Sequence, residues 1–242
     1  MSYEIKKLPY MQRHWILNSA NIPSRFMGLE PADIEGHKGT FPKGIDNWID
    51  KVLEGKVIKR LGGLGDTGVG LLFDGSPGLG KTTHAVVTVM ELIRRLPTDE
   101  AELRDIFGYT QDTLGVQSRP IYYMQYVEFL SRKKAMIDAD PETKAKLHLE
   151  MEGLHGRLPT AQDHLNVRVL VLDDLGKEYK GAGFNDASFD EILRSRYDKA
   201  LPTIITTNVD RELWTAKYGA AMGSFAYEAF KRIEITGEDM RK

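Results

Sequence analysis

The sequence predicts an α/β protein with a parallel sheet of five strands and helices on both faces of that sheet. First, apolar segments of strand length alternate with longer segments whose apolar residues recur at helical spacing. Second, the strand-type segments are apolar almost without interruption, which is typical of parallel strands buried on both faces. Third, polar residues suited to catalysis directly follow several of these segments, at the strand ends where parallel sheets bind their ligands.

The individual elements are predicted from these patterns in chain order. Residues 1 to about 45 indicate short helices and loops, and an amphipathic helix is expected from Ile45 to about Leu61. Strands are predicted at 69–73, 120–124, 167–172, 202–208 and 232–235. Further helices are predicted at about 81–96, 125–137, 187–200, 211–217 and 224–230, with one or two surface helices in 138–166. The polar stretch from Pro97 to Arg119 is expected to be a connection.

The composition is that of a globular protein. The chain has 242 residues, 41% of them apolar and 28% charged, and its net charge of −2 gives no overall attraction to nucleic acid or anionic membrane. The absence of cysteine excludes disulfides, thiol catalysis and cysteine-ligated metal sites. No apolar run approaches ~18 residues and the N-terminus lacks a signal-peptide core, so a cytoplasmic protein without a membrane partner is expected.

A glycine-rich turn between the first predicted strand and the next helix has the P-loop pattern. Gly75-x-x-x-x-Gly80-Lys81-Thr82 matches this pattern without a gap, and only about 1% of chains of this length would match by accident. Glycines let successive backbone N–H groups point inward, and the helix N-terminus adds partial positive charge, so the turn can bind phosphates. Lys81 can reach the β- and γ-phosphates, and the Thr82 hydroxyl can ligate Mg²⁺. The predicted nucleotide-binding residues of the turn are Gly75, Ser76, Pro77, Gly78, Leu79, Gly80, Lys81, Thr82 and Thr83.

Polar residues end two later strands. Asp173 and Asp174 follow the strand at 167–172, where Asp173 would hold Mg²⁺ through water and Asp174 would polarise the attacking water. The alternative for this pair is an acidic turn after a core strand. Asn208 closes the strand at 202–208 and could position the water and sense the γ-phosphate, although asparagine is also a common turn residue.

Taken together, these segments resemble the AAA+ helicase loaders of the DnaC/DnaI type and the related IstB transposition ATPases. The likeness runs from about Arg13 to Lys242 and is carried by the segments 22–26, 75–83, 172–176, 194–208 and 237–241. It implies Walker A roles for Lys81 and Thr82, Walker B roles for Asp173 and Asp174, and a sensor-1 role for Asn208. Ile22 and Phe26 would line the adenine pocket. The family further implies ATP with Mg²⁺, an ATP-dependent homo-oligomer, single-stranded DNA and a replicative helicase as partner.

The chain departs from this family in two places. Such loaders carry an N-terminal domain that grips the helicase, whereas here about 65 residues precede the first core strand. We expect residues 1–64 to be a helical and loop extension packed on an AAA+ ATPase domain at 65–242, with little or no separate N-terminal domain. The second departure is Phe225, which stands where the family places an arginine that reaches the neighbouring subunit's γ-phosphate. The candidates to replace that arginine are Arg194, Arg196, Arg211 and Arg232.

Arg196 is the first choice because it matches a family position, while the alternative for each of these arginines is a solvated side chain or a local ion pair. Weak hydrolysis, or stimulation by a partner, is the corresponding expectation.

The basic cluster Arg132-Lys133-Lys134 is a candidate DNA contact, with a second patch at Lys56, Lys59 and Arg60. The alternative is a solvated helix face. The tyrosines at 122, 123 and 126 could stack bases, or they could belong to the core.

Three functions remain open from the sequence. The first is an ATPase that loads or remodels a replicative helicase on single-stranded DNA, encoded by a host, a phage or a mobile element. The second is an IstB-like ATPase that assists a transposase on DNA. The third is a P-loop regulator whose ATP state controls a protein interaction without DNA. The ATPase cores of the first two look alike, so their partners would have to distinguish them.

Overall fold

The computed structural model describes residues 3–36, 41–58, 68–109, 118–176 and 183–239. Within these ranges one sheet contains five strands, β1 Gly70–Asp74, β2 Ile121–Gln125, β3 Val169–Leu175, β4 Thr203–Thr207 and β5 Phe230–Glu234. The strand order is β2-β3-β4-β1-β5, and every neighbouring pair is parallel. The predicted parallel five-stranded sheet is therefore confirmed, and β1 lies inside it between β4 and β5.

Helices account for most of the remaining described chain. They are α1 Tyr3–Lys7, α2 Tyr10–His14, α3 Pro31–Gly36, α4 Lys43–Leu53, α5 Lys81–Arg95, α6 Glu100–Phe107, α7 Tyr126–Asp138, α8 Pro141–His155, α9 Phe184–Asp198, α10 Trp214–Tyr218 and α11 Ala220–Ala229. A π-helical turn spans Trp15–Ser19, and 3-10 turns span Ser24–Phe26, Thr160–Leu165 and Arg211–Leu213. Among the described residues, no helix has the length and apolar character that crossing a membrane requires.

The sheet separates two hydrophobic clusters, which confirms helices on both of its faces. The first cluster contains α5, α6 and the N-terminal helices, and the second contains residues of α7 to α11. Side chains alternate between the two faces along a strand, so Tyr123 of β2 belongs to the first cluster and its neighbour Tyr122 to the second.

The described part of the N-terminal extension shares its core with the sheet. Trp15, Ile34 and Trp48 are buried in the same cluster as Leu71 of β1. The Trp48 indole Nε1 donates a 2.8 Å hydrogen bond to the Val69 carbonyl, and Tyr123 N–H donates one of 2.8 Å to the Ala20 carbonyl. The predicted boundary between residues 64 and 65 lies in 59–67, outside the described residues.

Helix α6 lies in a stretch that was predicted to be a polar connection. Its start is capped by Asp99, whose carboxylate accepts a 2.9 Å hydrogen bond from Glu102 N–H, and its end by Gly108 with φ 65°. Leu103, Ile106 and Phe107 are buried in the first cluster. The local capping signals were present, but only burial against the core makes so short a helix stable.

The bounds of several other elements also differ from the prediction. Helix α4 ends at Leu53 instead of about Leu61, and β3 continues through both aspartates to Leu175. Helix α9 begins at Phe184, three residues earlier than predicted. After β5 the chain remains against the sheet, because Ile235 N–H donates a 2.8 Å hydrogen bond to the carbonyl of Asp74 in β1.

Candidate nucleotide-binding site

A cavity of about 540 Å³ opens at the carboxyl ends of the strands. Its volume is in the range of small-molecule sites. It is lined by Arg25, Phe26, Pro77, Gly78, Gly80, Lys81, Thr82, Thr83, Gln125, Asp173, Asp174, Thr206 and Asn208. The structure therefore brings the P-loop, both aspartates and Asn208 to one place.

The backbone of the P-loop is held in a conformation that requires glycine. Gly75 and Gly78 have φ angles of 143° and 90°. A Cβ atom on Gly75 would lie 2.4 Å from the Ile235 carbonyl oxygen, and one on Gly78 would lie 2.3 Å from Asp239 Oδ1. The C-terminal segment 235–239 thus packs directly on the loop. Met240 and Arg241, the end of the 237–241 motif, lie outside the described residues.

Lys81 is held at the loop that precedes it. Its Nζ donates 2.8 Å hydrogen bonds to the carbonyls of Gly75 and Ser76, and the side chain is buried. Gly75, Ser76 and Leu79 do not line the cavity, but the first two supply these acceptors. The ammonium group therefore lies beside the N-terminus of α5, where a phosphate would meet both positive charges.

Asp173 accepts hydrogen bonds from three hydroxyl groups. Thr82 Oγ1 and Thr206 Oγ1 donate to its Oδ1 at 2.8 and 2.6 Å, and the Tyr123 hydroxyl donates to its Oδ2 at 2.6 Å. The carboxylate is almost fully buried, with 2% of the residue exposed. Burial, followed by the negative charge of Asp173, raises the pKa of Tyr123, so the phenol keeps the proton that it donates.

The oxygen ligands around Thr82 and Asp173 fit a hard cation such as Mg²⁺. The Thr82 hydroxyl and the Asp173 carboxylate are directly hydrogen-bonded, so a single ion could contact both. Within the described ranges, no group of three or more His, Cys, Asp or Glu side chains is arranged to hold a metal. A cation here would therefore depend on these two residues, water and the phosphates of a nucleotide, as is usual for Mg²⁺.

Consecutive aspartates line the same cavity because β3 is irregular at its end. The pairing of β3 with β4 shifts register between Leu172 and Leu175. Asp174 has φ 65°, and its N–H donates a 2.9 Å hydrogen bond to Thr206 Oγ1. In a regular strand these neighbours would face opposite sides of the sheet, and such an irregularity re-aims one of them. The left-handed backbone of a non-glycine residue costs about 1–3 kcal/mol and is common at functional sites.

Asn208 is exposed and follows β4, where it lines the cavity close in sequence to Thr206. Phe26 also lines the cavity, at the end of the 3-10 turn Ser24–Phe26. Ile22 does not; it is buried in the first hydrophobic cluster. Arg25, from the same segment, lines the cavity instead, and the Arg25 guanidinium lies 4.5 Å from the centre of the Phe26 ring.

Four lining or supporting residues were not predicted as site residues, namely Arg25, Tyr123, Gln125 and Thr206. Arg25 lies within the 22–26 motif, and Thr206 lies two residues before Asn208. Proximity in sequence could therefore have indicated these two. The role of Tyr123 had no local signal, because the adjacent Tyr122 has the same side chain.

The prediction that Arg196 reaches a neighbouring subunit is corrected by the structure. Its side chain is fully buried, and burial lowers its pKa below the usual value for arginine, with the charge of Arg168 as a smaller cause. The guanidinium donates to four backbone carbonyls and one hydroxyl, those of Leu154, Val167, Arg168, Pro202 and Thr203. A side chain held in this way joins α8, β3 and β4 and cannot extend to another molecule.

The other three candidate arginines have local partners. Arg194 Nε donates a 2.7 Å hydrogen bond to Asp190, and its guanidinium lies 4.9 Å from the centre of the buried Phe225 ring. Arg232 pairs with the buried Asp74 at 2.6 Å. Arg211 lies over Tyr227, 4.1 Å from the ring centre. Arg194 is thus the arginine that lies against the side chain at the family position.

The predicted DNA-contact cluster is largely engaged in ion pairs. Arg132 pairs with Glu128 and Glu150, and Lys133 pairs with Glu191. Tyr122, Tyr123 and Tyr126 are all buried, so none presents its ring for stacking. In the second patch Lys56 pairs with Glu54 at 2.7 Å, and Lys59 and Arg60 lie outside the described residues.

Comparison with solved structures identifies the fold. The sequence matches no protein-family model and no curated protein. The crystal structure of DnaI aligns over 90% of this chain and 96% of its own, with a TM-score of 0.56 and 19% sequence identity. The crystal structure of the DnaC helicase loader aligns over 88% of this chain and 100% of its own, with a TM-score of 0.51 and 23% identity. The chain therefore has the fold that the DnaI and DnaC helicase loader structures share.

Proposed function

We propose that this protein is an ATP-hydrolysing AAA+ ATPase that loads or remodels a replicative helicase on single-stranded DNA. The observation that carries the proposal is that one cavity is lined by all five of the residues expected to act on the nucleotide. These are Lys81, Thr82, Asp173, Asp174 and Asn208. The shared fold with a helicase loader supports the biological role.

The residues of the cavity have separate tasks in this mechanism. The P-loop N–H groups and the N-terminus of α5 bind the phosphates, and Lys81 exchanges its loop carbonyls for phosphate oxygens. Thr82 and Asp173 would hold Mg²⁺, which neutralises charge on the β- and γ-phosphates when it is bound. Asp174 orients the attacking water as general base, and Asn208 places that water relative to the γ-phosphate. Phe26 and Arg25 form the side of the cavity that would receive the base and sugar.

The partners of this ATPase are proposed from the structural likeness. A protein of this type acts as an ATP-dependent homo-oligomer with a replicative helicase and single-stranded DNA. Arg194 is the candidate for the trans-acting cation, since it lies against Phe225 at the family position and is partly exposed. Its pairing with Asp190 would have to be exchanged for a phosphate of the neighbouring subunit.

Two substitutions test the ATPase part of the proposal. Lys81→Ala should abolish binding of Mg·ATP, measured by calorimetry, because it removes the cation of the phosphate site. Asp174→Asn should bind Mg·ATP normally but hydrolyse it at least about 100-fold more slowly, because a general base is lost. Normal phosphate release by Asp174→Asn would overturn the assignment of the base.

A further experiment tests the role in helicase loading. The protein is mixed with the replicative helicase of its host, or with a transposase, and each mixture is assayed for ATP-dependent complex formation and for loading onto single-stranded DNA. Capture of the helicase is the expected result. Capture of a transposase instead would favour the IstB-like alternative. DNA-independent ATPase activity, combined with no binding of single-stranded DNA at low salt, would favour the P-loop regulator.

A further inference from the structure

Tyr123 is a buried tyrosine of β2 whose hydroxyl reaches the Mg²⁺ site of the proposed ATPase. We propose that Tyr123 is a positioning residue that sets the Mg²⁺ affinity of the site by fixing the orientation of the Asp173 carboxylate. This inference rests on the proposed function and adds a residue to it. The hydroxyl donates to Asp173 Oδ2 at 2.6 Å, a short distance of the kind found when the acceptor is charged.

The two oxygens of Asp173 are held from different sides. Oδ1 accepts from Thr82 and Thr206, and Oδ2 accepts from Tyr123. Thr82 comes from α5, Thr206 from β4 and Tyr123 from β2, so three elements determine one side-chain torsion. With Oδ2 bound to the phenol, Oδ1 is the oxygen directed at Thr82 and hence at the cation.

Binding of a cation is compatible with this arrangement. The Thr82 hydroxyl has two lone pairs, so it can ligate Mg²⁺ with one of them and still donate its hydrogen to Oδ1. The Tyr123 bond to Oδ2 uses the other oxygen and can persist. Tyr123 can therefore orient the carboxylate before and after the ion binds, as residues that support metal ligands commonly do.

The Tyr123 hydroxyl also has an opposing effect on Mg²⁺ affinity, which is smaller than its orienting effect. A donor to a carboxylate withdraws negative charge and by itself weakens the attraction for a cation. Asp173 is nearly fully buried, however, and without Tyr123 its Oδ2 would lose the described donor that holds it. A carboxylate that can turn away from the ion loses more affinity for Mg²⁺ than one whose negative charge is slightly reduced. Loss of such supporting groups typically lowers metal affinity 10–100-fold.

The strand offers a matched control. Tyr122 and Tyr123 are adjacent and similarly buried, with 7% and 3% of each residue exposed, but they face opposite sides of the sheet. Tyr122→Phe and Tyr123→Phe each remove one hydroxyl from a buried ring on the same strand. Only Tyr123→Phe removes a hydrogen bond to Asp173.

The test measures binding of a fluorescent ADP analogue by the full chain, first with EDTA and then during titration with Mg²⁺. Tyr123→Phe is expected to bind the analogue in EDTA within about 2-fold of the parent and to require about 10-fold more Mg²⁺ for the half-maximal change. Tyr122→Phe should match the parent in both measurements. Thr206→Val, which removes a donor to Oδ1, should also raise the Mg²⁺ requirement.

The outcomes separate this inference from the proposed function. A parent protein that binds no adenine nucleotide overturns both. A parent that shows normal Mg²⁺ dependence, combined with an unchanged Mg²⁺ midpoint in Tyr123→Phe, overturns the role of Tyr123 alone. Equal shifts in Tyr122→Phe and Tyr123→Phe would also overturn it, because both would then report loosened packing of β2. Binding of Mn²⁺ with ADP, followed by electron paramagnetic resonance, gives an independent readout of the same affinity.

Discussion

Arg196 illustrates how a single charged residue can be a structural component of this protein. Its guanidinium lies in the interior and donates to carbonyl groups near the end of α8 and just before β3 and β4. Arginine suits this position because its planar group offers five N–H donors in a rigid arrangement, whereas a lysine offers a compact ammonium.

Replacement of Arg196 should therefore destabilise the fold. Arg196→Lys keeps the charge but leaves buried carbonyls without donors, and we expect the free energy of unfolding to fall by about 2–5 kcal/mol. Urea denaturation measures this. Arg194→Lys on the same helix is the control, because Arg194 is 42% exposed and forms a surface pair with Asp190; its effect should stay within about 0.5 kcal/mol. Similar effects of the two substitutions would contradict the structural role.

His155 gives the folded protein a dependence on pH. Burial, and then the positive charge of Arg157, lowers the pKa of His155 to about 3, and its Nδ1 has no hydrogen-bond partner among the described residues. The unfolded chain binds a proton at this residue below its ordinary pKa of 6.5, while the folded chain does not. The free energy of unfolding should therefore fall as the pH decreases from 6.5 toward 3, by about 1.4 kcal/mol per pH unit.

Urea denaturation of the parent and of His155→Gln at about pH 7 and about pH 5 isolates this contribution. The parent should lose on the order of 1–2 kcal/mol more than the variant over that interval. His148→Gln, at an exposed position of the same helix, controls for loss of an imidazole. Parallel losses in the parent and His155→Gln would show that this histidine does not carry the effect.

At the scale of elements, the site depends on how closely β1 approaches β4. Phe73 of β1 pairs with Thr206 of β4, so the P-loop and one donor to Asp173 start from neighbouring positions. Gly70 permits this approach, because a Cβ atom on it would lie 1.8 Å from the Thr203 carbonyl oxygen. Separation of the two strands would disturb the core and the cavity together.

Gly70→Ala should thus reduce the free energy of unfolding by about 3 kcal/mol or more. The new methyl group would collide with the backbone of Thr203, which cannot move aside as a flexible side chain could. Gly44→Ala in α4 is the control. There the nearest atoms are the ends of the Ile233 and Lys231 side chains at 3.2 Å, and alanine favours a helix by about 1 kcal/mol. This variant should be neutral or slightly stabilised, and equal effects of the two changes would contradict the close approach of β1 and β4.

At the scale of the whole molecule, the proposed mechanism requires more than one subunit. Phe225 is buried and Arg196 is internal, so neither supplies a cation to a neighbouring site. The exposed Arg194 could do so only if copies of the chain associate around the nucleotide.

We therefore expect an ATP-dependent increase in mass. Light scattering after size exclusion should show a larger species for Asp174→Asn with Mg·ATP and single-stranded DNA than without nucleotide, because bound ATP is not consumed. Lys81→Ala should keep its mass under both conditions. An unchanged mass of Asp174→Asn with saturating Mg·ATP would contradict ATP-dependent assembly.

The main features of the fold and site could be predicted from the sequence because they depend on local patterns. Apolar strand segments alternating with helices indicate a parallel sheet, and in such a sheet residues at the carboxyl ends of the strands converge on one edge. Asp173 and Asn208 follow from that rule, Lys81 follows from the P-loop pattern, and the structure places all three at the cavity.

Other features depend on packing between segments that are far apart in the chain. No local pattern distinguishes Tyr123 from Tyr122, and the face that each presents follows from the register of β2 against β3. Arg196 resembles a surface arginine until α8 and two strands close around it. Which side chain is buried, and which carbonyl it satisfies, is settled only when distant segments meet, because burial and hydrogen bonding there are properties of the assembled chain.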